Sequence, residues 1–71
     1  MTEDLHHKTA LFLIQQYLKE VFSGNKKDIN DWLSSPNEFL SGVPQDLMTT
    51  LSGAIAVRKH LAEIIFNKEN L

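Results

Sequence analysis

Apolar residues recur at three- and four-residue steps in two long stretches of this chain, and both prolines and all three glycines fall between those stretches. In the first, Ala10, Ile14, Tyr17, Leu18, Val21 and Phe22 share one face of a 3.6-residue period, while Lys8, Gln15, Gln16, Lys19 and Glu20 occupy the other. In the second, Ala54, Val57, Leu61, Ile64 and Ile65 keep the same spacing. The pattern predicts helices over residues 4–22 and from Thr50 to about Asn67, joined by a segment rich in turn signals.

Local chemistry sets the boundaries. Thr2 or Thr9 is a candidate cap for the first helix, with Glu3 and Asp4 favourably placed near its positive end, and Ser23-Gly24 is its stop signal. Asn25 is suited to cap a short second helix that places Asp28 in the first turn and Ile29, Trp32 and Leu33 on one stripe. Ser35-Pro36 ends it, because the residue before a proline is driven out of the helical region, and Pro36-Asn37 favours a turn. Phe39 and Leu40 anchor the loop that follows. Ser41-Gly42 supplies a second flexible point, and Pro44 fits the first position of another short helix, where a fixed φ and a missing N–H cost nothing. That helix carries Leu47 and Met48 inward and ends near Thr50, whose hydroxyl caps the last one. The fold class expected is all-α: a compact bundle of about four helices in one domain spanning residues 1–71, one longer N-terminal, two short and one longer C-terminal.

A chain of 71 residues buries only about 60% of the surface its unfolded form exposes, so its core contributes little surplus stability. With no cysteine there is no disulfide to help, which leaves self-association or a bound partner as the remaining support. The lack of cysteine also fits a reducing compartment, and an acidic N-terminus followed by an apolar run of only five residues, Ala10 to Ile14, gives neither a secretory signal nor a membrane span. The location expected is the cytoplasm, without a membrane partner.

The residues that carry chemistry elsewhere have simpler roles in this chain. Serines and threonines sit at predicted helix ends and turns, where capping accounts for them better than nucleophilic catalysis. Asp28 and Asp31 lie three apart on a capped helix start and face water rather than forming an acid/base pair. His6 and His7 are adjacent, so on a helix their side chains diverge by about 100° and make a poor metal site. His60, beside Arg58 and Lys59, reads as part of a basic surface. Gly24, Gly42 and Gly53 are too far apart for a phosphate-binding loop. A net charge of −2 argues against nucleic acid, and the short helix at Pro44 would offer Gln45 to a base but set Asp46 against phosphates. No enzyme activity, cofactor or metal is expected. Trp32 and Phe39 read as core aromatics, whereas Phe66 and Leu71 are equally suited to the core or to a partner's surface.

The order of features from residue 17 to 66 resembles a known family. Val21-Phe22-Ser23-Gly24, Trp32-Leu33, Pro36-Asn37, Leu40-Ser41-Gly42, Pro44, Asp46-Leu47-Met48, Thr50, Gly53, Val57, Leu61 and Ile64 stand at the spacing of the Xre/MbcA/ParS-type antitoxin toxin-binding domain. The most specific stretch runs from Trp32 to Gly53. The resemblance implies a helical module that is not itself an enzyme and that neutralises a cognate protein toxin, commonly a RES-domain enzyme that consumes NAD or transfers ADP-ribose. It also implies toxin contact through the last helix and tail, which points to Arg58, Leu61, Glu63, Ile65, Phe66 and the segment Asn67 to Leu71. The chain departs from the family pattern at Val43, where a Ser or Thr cap is usual, at Gln45, at Leu51-Ser52, and at Ile65 with Asn67. The competing expectation is a self-associating regulatory or structural module, a homodimer with no toxin partner.

Overall fold

A computed structural model describes residues 2–69 and contains four helices: α1 (Thr2–Val21), α2 (Lys26–Ser34), α3 (Pro44–Leu47) and α4 (Leu51–Glu69). This is the all-α bundle that the apolar spacing predicts, with two long helices enclosing two short ones. The core is the seam between α1 and α4, where Ala10, Ile14 and Leu18 meet Ala54, Val57 and Leu61. Around it pack Tyr17, Val21, Phe22, Ile29, Trp32, Leu33, Leu40, Leu47, Met48 and Ile64. No described polar or charged residue is buried, so the centre of the molecule is held by apolar packing alone.

The boundaries follow from identifiable bonds. The end of α1 closes when the Gly24 N–H donates to the Lys19 carbonyl at 2.9 Å, the six-to-one bond of a Schellman cap. The left-handed position that this cap requires falls on Ser23 (φ 53°), with Gly24 (φ 76°) continuing the turn. The Asn25 side chain then accepts the Asp28 N–H at 3.1 Å and starts α2. Thr9 does not cap α1: the helix begins seven residues earlier, and the Thr9 hydroxyl bonds back to the Leu5 carbonyl at 3.0 Å inside it. Residues 37–42 form a closed loop. The Asn37 and Gly42 backbones pair as an isolated antiparallel bridge, and the Asn37 side chain accepts the Leu40 N–H at 3.2 Å. The Pro36-Asn37 and Leu40-x-Gly42 signals are thus two sides of one turn, whose left-handed residue is Ser41 (φ 58°) rather than Gly42.

Pro44 begins α3 fully buried, and the Val43 backbone carbonyl accepts the Asp46 and Leu47 N–H groups where no capping side chain is present. Between α3 and α4 the chain turns within three residues. Thr50 caps α4 as its position suggested, its hydroxyl accepting the Gly53 N–H at 3.1 Å. Gly53 is what permits so tight a turn, because a Cβ there would lie 1.8 Å from the Leu47 carbonyl oxygen and 2.9 Å from the Thr50 hydroxyl. A Cβ on Gly42 would meet only the Leu47 methyl groups, at an ordinary 3.5–3.6 Å.

Two substitutions of the same kind should therefore differ sharply. Gly53→Ala is expected to cost about 3 kcal/mol, the upper range for forced overpacking, whereas Gly42→Ala should stay within about 0.5 kcal/mol of the parent. Chemical denaturation followed by circular dichroism measures both, and equal costs would show that the α3–α4 turn does not depend on close backbone approach.

Candidate functional site

α4 has two working sides. Ala54, Val57 and Leu61 are buried against α1, and Ile64 packs at their edge. The 100° step between residues places Ser52, Ile55, Lys59, Glu63 and Phe66 on the opposite side, all of them exposed. Two of these are large apolar side chains: Ile55 is 37% exposed and Phe66 65%. A shallow depression runs along this side, lined by Phe39, Leu40, Ser52, Ile55, Ala56, Lys59, His60 and Glu63, and a second, lined by Ala62, Glu63, Phe66 and Asn67, lies beyond it. Such an open surface with exposed aromatics and a polar rim is of the kind that receives another protein.

The 37–42 loop adds to this surface. Phe39 is 85% exposed, so it is not the core residue its size suggested. Leu40 takes the inward position of the loop instead, its N–H fixed by Asn37, and the next residue back points outward. Trp32 does pack against the core while keeping part of its ring accessible. His60 joins the two. Its ring stacks on Phe39 at a centroid distance of 5.2 Å and on Trp32 at 6.4 Å, with interplanar angles of 26° and 14°. Its ring orientation is thus set by these aromatic partners; it borders the same depression as Lys59, whereas Arg58 lies in a different groove. Consecutive residues on a helix diverge, and the α2 side of α4 is where His60 points.

The residues expected to meet a partner are scattered around α4. Glu63 and Phe66 are exposed on the outer side, and Arg58 and Ile65 are half-buried on its flanks. Arg58 borders the groove where α4 meets His6, Thr9, Ala10 and Leu13 of α1. Leu61 has no exposed surface at all and belongs to the core seam, which its place in the apolar period already required. Leu71 lies outside the described residues. Of the motif residues, Leu33, Leu40 and Leu47 pack around the core, Asn37 and Gly42 close the loop, and Pro44, Thr50 and Gly53 set the α3–α4 turn. Pro36, Asp46, Asp28 and Asp31 are exposed.

The three histidines occupy three separate places, and among the described residues no three His, Asp or Glu side chains gather where they could hold a metal ion. His6 is exposed, and His60 is in the aromatic stack. His7 makes a contact that the sequence did not reveal: its Nε2 lies 2.7 Å from the Met48 carbonyl oxygen. Since a carbonyl only accepts, Nε2 is the donor, and it satisfies a carbonyl that the short helix α3 leaves without an intrahelical partner. This bond joins residues 41 apart in the chain and brings the start of α1 to the start of α4. Among the described residues no helix is long and apolar enough to cross a membrane.

The stability and interface roles of the two loop-side aromatics are separable. Phe39→Ala should leave the unfolding midpoint nearly unchanged, within about 0.5 kcal/mol as for other exposed sites. Trp32→Ala, which removes a ring packed on the core, should cost about 3 kcal/mol. Urea titrations of the two variants distinguish them, and a large loss for Phe39→Ala would place that ring in the core.

One comparison with known proteins gives a match. The family model described as the antitoxin Xre/MbcA/ParS C-terminal toxin-binding domain matches residues 17–64, which is more than half of the chain. Comparison with curated proteins and with solved structures found no match.

Proposed function

This chain belongs to the antitoxin Xre/MbcA/ParS C-terminal toxin-binding domain family, and from that membership we propose that it binds and neutralises a RES-type toxin, an enzyme that consumes NAD or transfers ADP-ribose. Toxin binding is the work of a domain of this family; the RES class of the toxin and the surface that meets it are the proposal. The observation that carries it is the outer side of α4, where Phe66, Ile55 and Glu63 are displayed by a helix whose other side is locked into the core. A surface fixed by a rigid seam is presented to a partner without further ordering, which lowers the entropic cost of association. In this reading Glu63, Phe66, Ile65, Arg58 and the terminal segment through Leu71 meet the toxin. Leu61 acts indirectly, by holding α4 in place. The protein itself performs no catalysis and uses no cofactor; it acts by occupying its partner.

The self-association reading has its own support on the far side of the molecule. Leu5 and Phe12 are 64% and 60% exposed, and their spacing of seven residues sets them on one outer stripe of α1. A second copy would bury that stripe. Sedimentation across a wide concentration range tests it, and a single monomeric species throughout would dismiss it.

Co-expression with a RES-type toxin encoded beside this gene provides the main test. The parent chain should relieve growth arrest and co-elute with the toxin. Phe66→Asp should lose both, with toxin affinity down by at least about tenfold, as for a buried interface aromatic, while circular dichroism shows that the variant remains folded. Leu61→Ala should fail differently, through destabilisation of about 2–5 kcal/mol as for other core truncations. Full rescue by Phe66→Asp would remove the outer side of α4 from the interface.

A further inference from the structure

The aromatic group formed by Trp32, His60 and Phe39 has a feature that packing does not explain. Three rings from three separate elements present nearly parallel faces, with interplanar angles of 14° and 26° about His60, and the outermost ring, Phe39, is 85% exposed. The rings line a cleft completed by Asn37, Glu63, Ile64 and Asn67. Glu63 stands three residues beyond His60 on α4 and Asn67 four beyond Glu63, so both fall on the turns next to the stack. The Glu63 carboxylate has no hydrogen-bond or ion-pair partner among the described residues, and it is the one carboxylate lining this cleft.

We propose that this cleft receives an arginine side chain of a protein partner, its guanidinium lying flat on the exposed face of the Phe39 ring, beside the edge of His60, and donating hydrogen bonds to the Glu63 carboxylate. The chemistry is selective. A guanidinium is planar and weakly hydrated, stacks on aromatic faces, and carries donors in a fixed fork that matches a carboxylate. The amide oxygens of Asn37 and Asn67 offer further acceptors around it. An apolar guest would leave Glu63 desolvated and unpaired, at a net cost. A lysine would meet the carboxylate but, as a compact and strongly hydrated ammonium, would gain less from the flat ring faces. Lys59 lies one turn before Glu63, in the neighbouring depression, and its charge opposes the guest. The inference rests on the toxin-binding reading only for the identity of the protein that supplies the arginine.

The test is a heteronuclear NMR titration of the full chain with three blocked tripeptides, glycine-X-glycine, in which X is arginine, lysine or the neutral isostere citrulline. The arginine peptide should shift resonances of Trp32, Phe39, His60 and Glu63, bind about fivefold more tightly than the lysine peptide, as one cation–π contact allows, and leave citrulline without effect. Glu63→Gln and Phe39→Ala should each weaken the arginine peptide by a similar factor, whereas Lys59→Gln should strengthen it; these side chains are exposed, and circular dichroism checks that each variant remains folded. Equal shifts with citrulline, or an unchanged titration of Glu63→Gln, would overturn the proposal. A second arm measures affinity for a RES-type toxin. Discrimination among tripeptides with no toxin binding keeps the cleft and rejects that toxin, while full toxin binding without discrimination rejects the cleft alone.

Discussion

Everything in this protein is arranged around the seam in which Ala10, Ile14 and Leu18 of α1 meet Ala54, Val57 and Leu61 of α4. Two alanines in that seam let the helix axes approach closely, and the branched and longer side chains fill the remaining space. The His7–Met48 bond places the starts of both long helices at the same end of the molecule. The connecting segment therefore has to run back along the bundle, which α2, the closed 37–42 loop and α3 accomplish while adding Trp32, Leu33, Leu40 and Leu47 to the edge of the core. The Gly53 turn is the step that returns the chain into the seam.

That arrangement divides labour among residues of the same type. Leu61 and Phe66 stand five positions apart on one helix, yet one is fully enclosed and the other is 65% exposed. Trp32 and Phe39 share a stacked partner in His60, but only Trp32 supports the core. A small protein has too little interior for all its large apolar side chains, and those left outside gather on α4's outer side, on the 37–42 loop and on the outer stripe of α1.

The parts legible in the sequence are those governed by local rules. Period alone located both long helices, and the Asn25 and Thr50 caps followed from residue type and position, because a cap bonds to a group three residues away. The loop aromatics were not legible in this way: a turn has no period, so nothing in the sequence separates Phe39 from Leu40, and the Asn37 bond decides which of them faces inward. His7 and His60 required tertiary structure, since their partners lie 41 residues away in one case and on two other elements in the other. Leu61 shows two lines of reasoning in conflict. The resemblance assigned it to partner contact and the apolar period assigned it to the core, and burial decides for the period. The family itself was readable from Trp32 to Gly53 because those residues form the turns that fix the fold.

The closure of residues 37–42 by their own backbone and by Asn37 has a consequence for what the loop tolerates. The loop's conformation depends on Asn37, Leu40, Ser41 and Gly42, while Glu38 and Phe39 at its tip contribute exposed surface and no backbone constraint. A substitution at residue 38 or 39 would therefore change the exposed surface of the loop without removing any of the bonds that close it. The loop is thus a place where exposed side-chain chemistry and backbone architecture are uncoupled: the first can be exchanged at two positions while the bonds that define the second remain in place.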